Sequence, residues 1–379
     1  MKHSNKRVPA TSSMRNKTYL SQFTETCSYE TLFLHYRGTV LPNVLVPVTL
    51  FSAYSMWYVI FAGNGLAPIL SSSLIPILTM VIAGMIGLRT NTSYDRFWEG
   101  RKLWGGLVGN IRNATRLLWF TVTKNDDEVI GEEHDPENEE VKQAIRLFIA
   151  FAVAVKHRLR DEHGVGFLDL RDLIPYVYRK FEEKHELALE KEVLQHSSSS
   201  EAVISENVIS EKKPILNRKI SGILREHSDI HNLPVDITHM LYNYISMFRK
   251  QGRLDLSTFN TIISLVHSMT EILTGFERIL STPIPLAYSI HLKQMIILYC
   301  MALPPQLYEN LGWYTVPITA IATFTFFGVD AIGTEIENPF GFDINDLPID
   351  DYCSNLRKEI EGLFEERPLD PVQWNKKTE

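Results

Sequence analysis

The side chains that could do chemistry in this chain are few and scattered. His227 and His231 stand four apart, a spacing that can place two imidazoles on one helix face as metal ligands, but no third ligand accompanies them and a solvated loop accounts for both. Cys27, Cys300 and Cys353 are widely separated and form no CxxC pair, so neither a disulfide framework nor a zinc knuckle is indicated, and structural thiols are the default. Arg89, Asp95 and Arg96 are early charges after a long apolar stretch. A cluster there can anchor subunits, orient the end of a membrane helix, face solvent or touch an anion; the structural role is favoured. GxGxxG, Walker A, HExxH and GxSxG sequences are all missing, so no catalytic residue is assigned and no enzyme is expected. No nucleic-acid partner is expected either.

The elements that must position these residues are helices, and several of them suit lipid. The totals, 379 residues, a net charge of −7 and 45% hydrophobic residues, would fit a soluble protein of two or three domains. Their distribution does not. Between Arg37 and Arg89 there is no Asp, Glu, Lys, Arg or His, a stretch long enough to cross a bilayer twice at roughly 20 residues per helix. Gly63-Asn64-Gly65 and Pro68 divide it into Val44–Ala62 and Ser73–Leu88, a helical hairpin. Pro42, Pro47 and Pro76 sit near helix starts, with Pro47 able to kink its helix.

From Arg89 to about Thr282 charges return with helical spacing, interleaved with Trp98, Leu103, Trp104, Leu107 and Ile111, which predicts a long amphipathic helix outside the lipid. Further helical patterns cover about 138–160, 168–193, 234–250 and 256–280, and His196–Lys213, with its serine run, reads as a disordered linker. Two later apolar spans, Ile284–Leu303 and Gly312–Val329, are separated by Pro304-Pro305 and Glu309, which mark a turn.

Loop charge sets the orientation. Basic residues before the first span, and Arg89, Arg96, Arg101 and Lys102 after the second, put both ends of the first hairpin in the cytosol, and both termini with them. The resulting division is a cytosolic segment 1–38, a transmembrane hairpin 39–88, a cytosolic helical region 89–282 containing the linker 196–213, a second hairpin 283–332 and an acidic cytosolic segment 333–379. Residues 1–24, basic and without acids, suit a cytosolic tail or an organelle transit peptide, so the plasma membrane is favoured and an organelle membrane is the alternative. Glycosylation patterns at Asn16, Asn91 and Asn113 fall on the cytosolic side and are discounted.

Three blocks carry a family resemblance. Arg89-Thr90-Asn91-Thr92-Ser93-Tyr94-Asp95-Arg96-Phe97-Trp98-Glu99-Gly100-Arg101-Lys102-Leu103-Trp104-Gly105 resembles the block after the pore helix in bestrophins of bacteria, plants and fungi. Pro285-Leu286-Ala287-Tyr288-Ser289-Ile290-His291-Leu292 is similar to the entry of that family's third membrane helix. Glu335-Ile336-Glu337-Asn338-Pro339-Phe340-Gly341-Phe342-Asp343, followed by Asn345-Asp346-Leu347-Pro348, resembles the acidic motif after the fourth. Order and spacing agree over roughly residues 30–355. The resemblance implies an all-α homopentamer with four membrane helices per subunit, a large cytosolic helical part and a central pore lined by the second membrane helix.

It also implies sites. The family places three hydrophobic residues at four-residue intervals just before the position of Arg89, which here gives Met80, Gly84 and Leu88 as a pore neck. Such a face can exclude water around an axis, or it can simply pack on a neighbouring helix. Gly84 departs from the pattern, as does the lack of aromatic neck residues, and the middle of the neck is expected to be wide or easily wetted. An anion could be held there by helix N-termini and backbone amides rather than by fixed charge. By the same match Glu335, Asn338, Asp343 and Asp346 are candidates for calcium, although Leu347 and Pro348 break the EF-hand pattern, and helix capping with solvated charge is the alternative. No cofactor is required. The function implied is passive conduction of chloride and other small anions across a lipid bilayer; a non-conducting membrane scaffold or regulator of the same fold is the alternative.

Overall fold

The computed structural model describes residues 38–66, 73–122, 136–162, 167–174 and 232–365. The N-terminal tail, Cys27, the His196–Lys213 linker, His227 and His231 lie outside the described residues. Among those described, every regular element is helical: α1 Leu41–Gly63, α2 Leu74–Thr121, α3 Pro136–Leu159, α4 Leu168–Arg171, α5 Leu233–Lys250, α6 Leu256–Ser281, α7 Leu286–Leu311, a 3-10 turn Gly312–Tyr314, α8 Thr315–Glu335 and α9 Ile349–Glu365. Among the described residues, three stretches are long and apolar enough to cross a membrane: Leu41–Gly63, Ile75–Thr121 and Leu286–Glu335, the last containing both α7 and α8. The chain divides into two units, one of residues up to Ala83 with Gln294–Ile332, the other of Gly84–Lys293 with the segment from Gly333 on.

The first unit is an apolar bundle. α1 carries no acid in its first turn and no base in its last, starts with proline at its N-terminal positions and includes Pro47 in its interior. Gly65, at φ 73, follows it in the left-handed region, which explains why the turn was legible at Gly63-Asn64-Gly65. α7 and α8 run antiparallel: Tyr299 and Phe326 stack edge to face at 5.0 Å, and the Thr323 hydroxyl reaches Cys300 Sγ at 3.5 Å. α1 lies against them through Phe51 on Phe327 at 6.0 Å, Tyr58 on Tyr308 at 6.5 Å and the buried Ser55 Oγ to Thr319 Oγ1 bond at 3.3 Å. Thr319 and Thr323 also donate back to the carbonyls of Thr315 and Thr319, both at 2.8 Å, so these buried hydroxyls are satisfied within apolar surroundings.

The turn expected at Pro304-Pro305 is not there. Both prolines and Glu309 belong to α7, which runs on to Leu311, and the chain reverses at Gly312, whose φ of 52 a glycine adopts freely. Proline in a helix removes the N–H that would bond the carbonyl four residues back. For Pro305 that carbonyl is Met301, and it accepts a bond from the Tyr54 hydroxyl at 3.2 Å. A tyrosine on α1 thus supplies the donor that α7 lacks.

The second unit holds the large core. α2 is one unbroken helix of 48 residues, about 72 Å long at 1.5 Å per residue. Sequence reading divided it at Arg89, where the composition changes, but no residue there interrupts backbone bonding. α3 is apolar all round from Leu147 to Val155 and occupies the centre there, with Ile145, Phe148, Ile149, Phe151 and Val155 fully buried. The neighbouring α5, α6 and α9 contribute Phe248, Phe276 and Leu356, and α2 contributes Trp104, Leu107 and Ile111. Asp255 caps α6 by accepting from the Thr258 amide at 3.0 Å, and hydrogen bonding to Thr258 holds its carboxyl below the usual range.

Candidate pore helix and its anchor

At 100° per residue a helix has faces that the sequence can name. On α2 the buried face begins with Ile82 and Ile86, passes through Arg89 and Ser93, and continues into Trp104, Leu107 and Ile111. The opposite face is open. Met80 is 81% exposed and Leu88 64%, and a Cβ at Gly84 would have no atom within 4 Å. The three neck candidates therefore share one open face, and Ile82 lies behind it, fully buried. Nothing on that face carries a charge until Asp95, which is exposed.

Directly after Leu88 the buried face becomes polar and is tied down. The Arg89 side chain is 3% exposed; its guanidinium donates to Thr334 Oγ1 at 2.9 Å and stands 3.8 Å from the Glu337 carboxylate. Arg96 binds three carbonyls: Glu337 at 3.0 Å through Nε, Ile279 at 2.8 Å through Nη2, and Thr282 through Nη1. Ile279 and Thr282 lie at the C-terminal end of α6, where unpaired carbonyls and the helix dipole favour a cation. Glu337 completes the knot by accepting the Ile284 amide at 3.1 Å. Arg89 and Arg96 thus meet at Glu337, and Asp95 does not join them. Breaking a buried ion pair of this kind by deleting one partner costs about 3–5 kcal/mol. Tyr288 adds a second tie, its hydroxyl donating to the Met85 carbonyl at 2.5 Å, one residue beyond Gly84. Glu337 and Tyr288 were not singled out from sequence. An arginine aligned with the buried face of its helix is the one signal that a distant acid had to exist.

The acidic turn after α8 is bonded to itself. Asn345 donates to Glu335 Oε1 at 2.7 Å, Asp346 accepts the Asp343 amide at 2.7 Å, and Asn338 Oδ1 accepts the Phe340 amide at 3.5 Å. A Cβ at Gly341 would come within 2.7 Å of the Asp346 carboxylate, which would have to shift to admit it. Burial, reinforced by the charges of Asp343 and Glu335, pushes Asp346 above its ordinary value. Among the described residues no group of three or more His, Cys, Asp or Glu side chains is arranged to hold a metal ion.

An ionic network with buried cations and partly exposed carboxylates ties this turn and α9 to the core. Lys156 Nζ bonds Asp169 at 2.5 Å and Asp350 at 3.0 Å, and Arg160 bonds Asp350 at 2.8 Å while its guanidinium lies 4.4 Å over Phe342. His157, stacked on Phe167 at 3.9 Å, contacts Glu162 at 2.5 Å and Asp169 at 2.9 Å. Burial works against the Asp169 carboxylate, but hydrogen bonds from His157 and Lys156 outweigh it and hold the group well below the usual range. Burial likewise opposes the charge on Asp350, and bonds from Arg160 and Lys156 overcome it.

An all-helical chain whose described residues include stretches long and apolar enough to cross a membrane, one of them on α2 with an open apolar face, defines the class as a helical membrane protein. The family described as Bacterial/Fungal Bestrophin protein matches residues 23–362, so the chain belongs to it. A voltage-dependent anion channel-forming protein of Synechocystis sp. is 33% identical over 346 residues, 89% of this chain and 92% of the relative. One of Nostoc sp. is 36% identical over 297 residues, 78% of each chain. A solved bacterial bestrophin homologue from Klebsiella pneumoniae shares the fold, with a TM-score of 0.64 at 22% identity over 85% of this chain and 99% of its own.

Proposed function

We propose that the chain is one subunit of an anion channel that conducts chloride and other small anions passively. The observation that carries this reading is the open face of α2, apolar through Met80, Gly84 and Leu88, with Ile82, Ile86 and Arg89 buried behind it. The names of the cyanobacterial relatives support the same reading. One such face cannot enclose a path, so five copies around an axis are proposed, each with four membrane helices supplied by α1, α2, α7 and α8. Both termini then lie in the cytosol, by the loop-charge rule, and the plasma membrane is favoured.

An anion passing the neck meets no fixed charge before Asp95, so the barrier there is one of wetting and width. Gly84 removes five side chains from its middle and keeps that barrier low. Conduction by this route needs no cofactor. Calcium at the acidic turn would compete with the bonds from Asn345 to Glu335 Oε1 and from the Asp343 amide to Asp346 Oδ2; calorimetric titration of the purified protein with CaCl₂ tests for it. The decisive experiment is planar-bilayer recording with anion replacement. A reversal potential that follows chloride supports the channel, and an intact pentamer without conductance would leave the scaffold reading in its place.

A further inference from the structure

The open face of α2 does not stop at the neck. Continued past Leu88 at helical spacing it carries Asn91, Asp95, Trp98 and Lys102, all exposed, while Trp104 and Leu107 behind them are fully buried. Lys102 is five full turns from Gly84, about 27 Å along the axis and at the same azimuth. The other charges in this part of the helix are occupied. Arg89 and Arg96 converge on Glu337, Glu99 pairs with Arg278, Arg101 lies 5.0 Å over the Tyr352 ring, and Arg112 and Arg116 share Glu359. Asp95 and Lys102 have no ion-pair partner among the described residues.

We propose that Lys102 is a specificity-determining residue of the conduction path, resting on the channel reading above: five ammonium groups line the path beyond the neck and draw anions past the five carboxylates of Asp95. On leaving the neck an anion meets the Asp95 ring first, which repels it. Lys102 lies two turns further, about 10 Å along the helix. That separation is close to the screening length of about 8 Å at physiological salt, so the two rings act as separate stations rather than as neutralised pairs. A lysine ammonium is compact and strongly hydrated, which attracts an anion without holding it.

The test uses full-length protein in planar bilayers under a KCl gradient. Lys102→Gln and Lys102→Glu should lower anion conductance at about 0.05 M salt, roughly threefold or more for the charge reversal, with the difference fading near 1 M. Asp95→Asn should raise it, and Lys102→Arg, which keeps the charge, should lower it less than Lys102→Gln does. In parallel, Leu88→Cys and Lys102→Cys are treated with an anionic methanethiosulfonate during recording, and loss of current is expected for both. Leu88→Cys modified with loss of current while every Lys102 variant matches wild type would overturn the role of Lys102 and leave the neck standing. Leu88→Cys inert in a conducting protein would overturn the placement of the path along this face and this inference with it, and no conductance in the wild type would overturn the channel reading as well.

Discussion

Gly84→Ala and Gly100→Ala are the same chemical change on the same helix, and α2 predicts opposite signs for them. In a helix interior alanine is about 1 kcal/mol more favourable than glycine. At Gly84 an added Cβ meets nothing within 4 Å, so that gain is expressed in full, about 1 kcal/mol per subunit. At Gly100 the Cβ lies 2.9 Å from Phe340 Cζ and 3.3 Å from Pro339 Cγ. Phe340 is fully buried and packs edge to face on Phe276 at 5.5 Å, so its ring has nowhere to go. Overpacking costs about 1–3 kcal/mol, which offsets or exceeds the helix gain. Thermal unfolding of purified protein in mild detergent reads both. On the channel reading, Gly84→Ala should lower unitary conductance while stability rises, and Gly84→Ile should lower it further, because five copies crowd one axis. Gly84→Ala less stable than wild type, with weakened assembly, would mean that this face is a packed interface and not the wall of a pore.

Arg96→Ala should destabilise by at least the worth of one charged hydrogen bond, about 1.5–3 kcal/mol, and Arg96→Lys should not rescue it, since one ammonium cannot span the three carbonyls the guanidinium reaches; detergent-phase unfolding midpoints decide. Tyr54→Phe leaves the Met301 carbonyl without its donor and should cost about 1–3 kcal/mol, and Pro305→Ala in that background should recover stability by restoring an N–H four residues on. Asp169 and Asp350 are held below the ordinary carboxylate range. Their contribution to stability is therefore present above about pH 4 and is lost as pH falls through the depressed folded-state values. Asp169→Asn should flatten that acid-side loss of stability, measured by denaturant unfolding between about pH 3 and 7, and should lower stability at neutral pH.

What the sequence made legible, and what it hid, follows from the range of the forces involved. The two apolar helices between Arg37 and Arg89 could be read because a helix that suits lipid excludes charge over its whole length, and Gly63-Asn64-Gly65 signals the end of the first through local backbone preference alone. Pro304-Pro305 gave an equally strong local signal and misled, because the missing donor is supplied by Tyr54, a residue far away in the chain. The change of composition at Arg89 marks no end of the helix, for a related reason. Composition records where the surroundings of a helix change, whereas its backbone bonds continue until a residue breaks them. The open face through Met80, Gly84 and Leu88 could be placed by helical periodicity once the family resemblance pointed to it. Its anchor could not, since the ties from Arg89 and Arg96 to Glu337 bridge more than 240 residues. Yet periodicity carries more than it was asked to carry. The azimuth that puts Ile82 and Ile86 inside also puts Arg89 inside, and an arginine at 3% exposure requires an anionic or carbonyl partner. The acid-rich run after α8 was the natural place to look for it. On that logic Glu337→Gln should weaken the junction at α2 more than Asp343→Asn or Asp346→Asn, although all three remove one negative charge from the same acidic segment. Equal effects would mean that the segment acts through its bulk charge and that Arg89 does not depend on the Glu337 carboxylate.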